Sequence, residues 1–152
     1  MTTKPRVARS DAAPDVFFYG SFINPAVLRQ EGVEPESMRL SMLPGYDITI
    51  RPIANLVPSP TGVVFGVVSA VSHSSLARLY DHAERVLGGS YLAQPVTVFV
   101  ADVGLCPVLT YIAPSLAAAP ARADYVARIV EPGEALGFPE WYLAHLKANL
   151  QS

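Results

Sequence analysis

The stretch from Val16 to Leu28, VFFYGSFINPAVL, decides how the rest of the chain is read. Val16 to Phe18 is apolar and aromatic, which predicts a short buried strand. Asn24-Pro25 is a helix cap followed by proline at the first helical position, so a short helix is expected over Pro25 to Gln30. Between the two, Tyr19-Gly20-Ser21 breaks the chain sharply. Glycine at such a break lets backbone approach a ligand, and successive N–H groups leading into a helix start can cradle an anion. An ordinary strand-to-helix turn has the same three residues. Ser21 is not set up as a nucleophile, because Phe22-Ile23 follow it and the G-x-S-x-G elbow is missing.

Working outward, MRLSMLPGYDITIRP alternates on both sides of Pro44-Gly45 and is expected to form strand, turn and strand. Thr61 to Ser72 is Val-rich and reads as a central strand, with Gly66 a bulge or a point of close backbone approach. Leu76, Leu79, Ala83 and Val86 recur at helical spacing, predicting helix over residues 74–86 that ends at Gly88-Gly89. SYLAQPVTVFVADV and CPVLTYIAP are two further strands around an Asp102-Val103-Gly104 turn. After an Ala/Pro connector, ADYVARIVEPGEALG reads as a helix ending near Val130 plus a further turn, because of Pro132. FPEWYLAHLKANL is the final helix. Trp141 and Tyr142 on it are core or interface residues. Strands come mostly before helices without strict alternation. That favours an α+β fold with a mixed, barrel-like curved β-sheet flanked by helices.

The chain of 152 residues is long enough for one domain with a sizeable core. Residues 1–14 are polar and charged and are expected to be a flexible N-terminal arm, leaving 15–152 as a single domain. The charge is nearly balanced, with 11 basic against 13 acidic residues, and no basic cluster continues past the first ten positions. No nucleic-acid partner is therefore expected. The uncharged stretches Pro52 to Ala77 and Val103 to Ala121 are interrupted by proline and polar residues, so no membrane partner is expected either. Lys4, Arg6 and Arg9 are not followed by an apolar segment, which argues against a secretory signal. Cys106 has no second cysteine to pair with, so the expected setting is cytoplasmic and the thiol a core residue.

Few residues offer chemistry. In LYDHAERV, Leu79 to Val86, Asp81 and Glu84 are three apart on neighbouring helix faces. A partly buried Glu84 would have a raised pKa and would suit a general base. A solvated face with Glu84 paired to Arg85 or Arg78 is the plainer alternative, and spacing alone favours it. His73, His82 and His145 are scattered outside any H-x₃-H or H-E-x-x-H pattern, so no metal site is expected. P-loop and G-x-G-x-x-G motifs are absent. Tyr91 and Tyr111 sit in apolar strands, where a buried hydroxyl needs a partner. That partner is a substrate or, more commonly, an ordinary structural bond.

Taken in order, these stretches resemble the gamma-glutamylcyclotransferase-like family, which includes the AIG2-like proteins. The resemblance runs through FFYGSFI, VFGVVSAV, LYDHAERV, GGSYLAQPVTVFV, LTYIAP and YVARIVEPGEALGFPEWYLAHL, roughly residues 16–148. It implies that the backbone at Tyr19, Gly20, Ser21, Phe22 and Ile23 binds the polar head of a gamma-glutamyl group. It implies that Glu84 is the catalytic glutamate and that Tyr91 and Tyr111 line the pocket. The implied reaction is intramolecular aminolysis of a small-molecule gamma-glutamyl substrate, closing 5-oxoproline and expelling an amine without metal or organic cofactor. Two departures bear on specificity. Phe22-Ile23 stand where the family often has Asn or Leu, and Ala93-Gln94 provide no arginine where many AIG2-like members have one. An amide hydrolase on the same scaffold and a non-catalytic module binding a small acid are the alternatives.

Overall fold

Val16, Phe17 and Phe18 are almost wholly shielded from solvent because their strand lies between two others. In the computed structural model, which describes residues 13–88, 90–116 and 118–151, β1 (Asp15–Phe18) pairs antiparallel with β3 (Ala54–Ala70) and parallel with β5 (Gly104–Ile112). β2 (Glu36–Ile50) pairs antiparallel with β3 and with β4 (Leu92–Val100), and β4 with β5. The sheet closes as β1-β3-β2-β4-β5. The expected mixed, barrel-like sheet is therefore present. Most of the arm expected over 1–14 lies outside the described residues, as does Gly89.

Gly66 is a close approach and not a bulge. Its register partner Ser41 is in step, and a Cβ at Gly66 would stand 2.1 Å from the Phe18 carbonyl oxygen and 2.8 Å from the Phe17 ring. The expected turn at Pro44-Gly45 is not a turn. β2 runs straight through it, and the register shifts from Pro44 opposite Val63 to Tyr46 opposite Pro58. Gly45 takes a φ of +89°. A Pro-Gly pair marks a bulge as readily as a reversal, since both need a missing donor and a left-handed residue. The chain reverses later, where the Arg51 N–H donates to the Ile53 carbonyl at 3.2 Å. β3 then begins at Ala54, well before the expected Thr61.

Helix α1 (Pro25–Gln30) is capped as expected, the Asn24 side chain accepting from the Ala26 N–H at 2.9 Å. Helix α2 (His73–His82) is capped by the Ser72 hydroxyl, and Leu76 and Leu79 face the core. It passes without a break into a π-helical turn, Ala83–Leu87, closed by the Gly88 N–H donating to the Ala83 carbonyl. Helix α3 (Ala123–Leu136) corrects the expected stop near Val130, because it continues through Pro132. The carbonyl freed by that proline belongs to Arg128, an exposed residue. Tyr125, Val126, Ile129, Val130 and Gly133 meanwhile stay buried on one continuous face. Gly137 ends the helix at a φ of +90°. Helix α4 (Glu140–Ala148) buries Tyr142, Leu143 and Leu146. Tyr142 is thus a core residue, packed on Phe65, while Trp141 is exposed against the edge of the same ring. Cys106 is a half-buried free thiol packed against the core. Among the described residues no helix is long and apolar enough to cross a membrane.

Candidate active site

β1 delivers Tyr19 and Gly20 to the end of the barrel, and the chain there turns through a single 3-10 turn, Ser21–Ile23. The Ile23 N–H donates to the Gly20 carbonyl at 3.2 Å and the Asn24 N–H to the Ser21 carbonyl at 3.1 Å. The N–H groups of Ser21 and Phe22 come too early to find an acceptor within the turn. Both residues line a cavity whose first wall is Phe18 to Phe22. Tyr80 and Ala83 form the second wall, and Ala54, Tyr91 and Tyr125 the third. The centre of a water molecule has about 30 Å³ in which to move there, and the empty space, open solvent at the mouth included, is about 380 Å³. Gly20 keeps the floor open, since a Cβ there would come within 3.1 Å of the Ala54 methyl and 3.5 Å of the Tyr125 hydroxyl.

The walls are apolar bodies with polar tips, and most of the tips are already engaged. The Tyr19 hydroxyl donates to the Tyr111 carbonyl at 2.6 Å. The Tyr91 hydroxyl donates to the Ala54 carbonyl. The Ala54 N–H donates to the Tyr125 hydroxyl at 3.0 Å. The Tyr80 ring stacks on Tyr111 at 3.9 Å and 11°, and meets Phe22 and Tyr91 at 5.6 Å. Burial pushes the Tyr19 and Tyr80 phenols well above their ordinary pKa, with neighbouring phenols adding to the shift. It raises those of Tyr91 and Tyr125 as well. All four therefore stay neutral at neutral pH, and among the described residues no Asp, Glu, Lys, Arg or His lines the cavity.

Tyr19, Gly20, Ser21, Phe22 and Tyr91, expected in the site, are brought together here. Ile23 is not. It is buried outside the cavity lining, and its N–H is already bonded within the turn. Tyr111 stands behind Tyr80 and serves the site through its carbonyl and its ring face. Glu84 is exposed and outside the lining, although its neighbour Ala83 belongs to it. Glu84 follows Tyr80 by four residues, Tyr80 lying in α2 and Glu84 in the π-helical turn after it. It forms no hydrogen bond or ion pair among the described residues. Arg85 instead holds Asp81 at 2.9 Å, and Arg78 reaches the Gly32 carbonyl and Ser75. His82 pairs with Glu31 at 3.3 Å. Among the described residues no three His, Cys, Asp or Glu side chains gather where they could hold a metal.

Five lining residues, Phe18, Ala54, Tyr80, Ala83 and Tyr125, were not singled out for the site from sequence. Tyr80 lies between Leu76 and Ala83 on one stripe, and that stripe was its signal. Tyr125 opens the buried face of α3. Ala54 has no sequence signal, since its role is carried by its backbone N–H and carbonyl.

A solved structure described as a gamma-glutamyl cyclotransferase matches with a TM-score of 0.75 at 22% identity, covering 90% of this chain and 87% of that one. The chain has the gamma-glutamyl cyclotransferase fold. An uncharacterized protein from Homo sapiens shares this cyclotransferase fold with a TM-score of 0.73 at 24% identity, covering 90% and 88% of the two chains. A gamma-glutamyl cyclotransferase specific to glutathione from yeast matches at 0.60 and 13% identity, covering 92% and 96%. No family model and no curated protein sequence matches the chain. The likeness is thus one of cyclotransferase fold, in line with the order of motifs from FFYGSFI to the C-terminal helices.

Proposed function

We propose that the protein is a cyclotransferase that converts a small gamma-glutamyl amide into 5-oxoproline and a free amine. The observation that carries this reading is the neutral, polar-tipped cavity beneath the Gly20–Phe22 turn, with an unpaired carboxylate one helical turn beyond its wall. The substrate's α-carboxylate is received by the Ser21 and Phe22 N–H groups, and no side-chain carboxylate in the walls repels it. Tyr19, Tyr91 and Tyr125, fixed by their own hydrogen bonds, shape the rest of the recess. So held, the α-nitrogen sits close to the γ-carbonyl carbon and the ring closes without a bimolecular encounter. Glu84 takes protons from the attacking nitrogen and delivers them to the leaving nitrogen. With the glutamyl head against the turn, the scissile amide lies toward the open mouth, within reach of Glu84. A reduced cytoplasmic setting suits the free thiol of Cys106.

The exposure of Glu84 favours a second reading, in which the pocket binds a small acid without turning it over. Incubation with a panel of gamma-glutamyl amides, read by mass spectrometry, separates the cases. Release of 5-oxoproline with the amine supports the cyclotransferase. Free glutamate marks a hydrolase, and saturable binding without turnover marks the binding module.

A further inference from the structure

Four tyrosines line the cavity, and three of their hydroxyls are committed. Tyr19 is bonded to the Tyr111 carbonyl, Tyr91 to the Ala54 carbonyl, and Tyr125 to the Ala54 N–H. The fourth, on Tyr80, has no hydrogen-bond partner among the described residues. Its ring is nonetheless fixed more firmly than most. It is stacked on Tyr111 at 3.9 Å and edged by Phe22 and Tyr91. A phenol held by its ring while its hydroxyl goes unbonded is a donor prepared for something absent from the chain itself. Tyr80 also precedes Glu84 by four residues, in the helix that leads into the π turn carrying it.

We propose that Tyr80 is a catalytic residue, whose hydroxyl donates a hydrogen bond to the γ-carbonyl oxygen of the substrate and holds the negative charge that develops there. This rests on the cyclotransferase reading and adds a residue to it. The α-nitrogen forms its bond to the γ-carbon, and the carbonyl π pair moves onto oxygen. Tyr80 stabilises that oxygen by hydrogen bonding and keeps its own proton. The pair then returns to carbon as the C–N bond to the amine breaks. The amine departs as an ammonium, carrying the two protons that the attacking nitrogen sheds through Glu84. Burial supports this role, because a phenol whose pKa is pushed up remains a donor throughout the neutral range.

The test compares wild type with Tyr80→Phe, which deletes the hydroxyl and keeps the stacked ring. The measurement is the steady-state release of 5-oxoproline from a gamma-glutamyl amide, alongside thermal unfolding. Loss of one such donor is expected to lower kcat on the order of 100-fold. KM should stay within about threefold, because the bond strengthens only as charge develops. The unfolding temperature should be unchanged. An active wild type with Tyr80→Phe turning over within about threefold of it would overturn the role of Tyr80 and leave the cyclotransferase reading standing. A wild type that forms no 5-oxoproline from any amide in the panel would overturn both, and it shows itself without the variant. Loss of activity with KM raised and kcat kept would reassign Tyr80 to simple binding and overturn the proposal.

Discussion

Glu84 has an arginine as its chain neighbour, yet stays unpaired because Arg85 reaches back four residues to Asp81. That spacing is the favoured one for a helical ion pair, and it leaves Glu84 without an ion pair among the described residues. Glu84→Gln is expected to lower kcat for 5-oxoproline release by about 100-fold or more, while stability changes by no more than about 0.5 kcal/mol at an exposed site. Kinetics and a urea melt check both, and an unchanged kcat would remove Glu84 from the mechanism. At this scale the sequence was legible where a residue type is itself the signal. Gly20 and Ser21 announce a turn that can meet a ligand, and Glu84 is one of few carboxylates in an apolar chain. Ala54 was illegible because its contribution is backbone. The unbonded hydroxyl of Tyr80 was illegible because it depends on where three other tyrosines spend theirs.

Among the elements, β3 is the most constrained. It passes so close to β1 that Gly66 has room for no side chain, the Phe18 carbonyl standing 2.1 Å from where a Cβ would go. Gly66→Ala is expected to cost about 3 kcal/mol, seen as a lower denaturant midpoint. A midpoint equal to wild type would show that the two strands can part freely. Close approach at Gly66 was readable because glycine within a Val-rich run has few other uses. Pro44-Gly45 and Pro132 misled for a shared reason, since local breaking tendency yields to tertiary pairing. Twelve partner positions along β3 hold β2 through its bulge, and a buried face of α3 holds that helix through its proline. The π turn after His82 was likewise invisible to spacing, although it is the element that sets Ala83 in the wall and Glu84 outside it.

For the molecule as a whole, closing five strands into a barrel brings the end of β1, the start of β3 and helices α2 and α3 to one opening lined by phenols. Tyr19, Tyr80, Tyr91, Tyr125 and Tyr142 all have pKa values raised by burial from an ordinary 10.0. In the unfolded chain these phenols release their protons near pH 10, while the folded chain retains them. Stability is therefore complete below that pH and falls as pH rises above it. Urea midpoints measured across the alkaline range are expected to drop there, with phenolate absorbance appearing together with unfolding. Phenolate formed at these five on a still-folded protein would show that their surroundings are open to water. The order of motifs along the chain made the barrel legible, whereas the contents of its opening depended on the closure. The claim on which the rest stands is that the Gly20–Phe22 turn holds the glutamyl head. Titration of ¹⁵N-labelled protein with 5-oxo-L-proline, followed by amide NMR, tests it most directly. The largest saturable shifts are expected at the Ser21 and Phe22 amides. Unmoved resonances there, with shifts elsewhere or none, would contradict it.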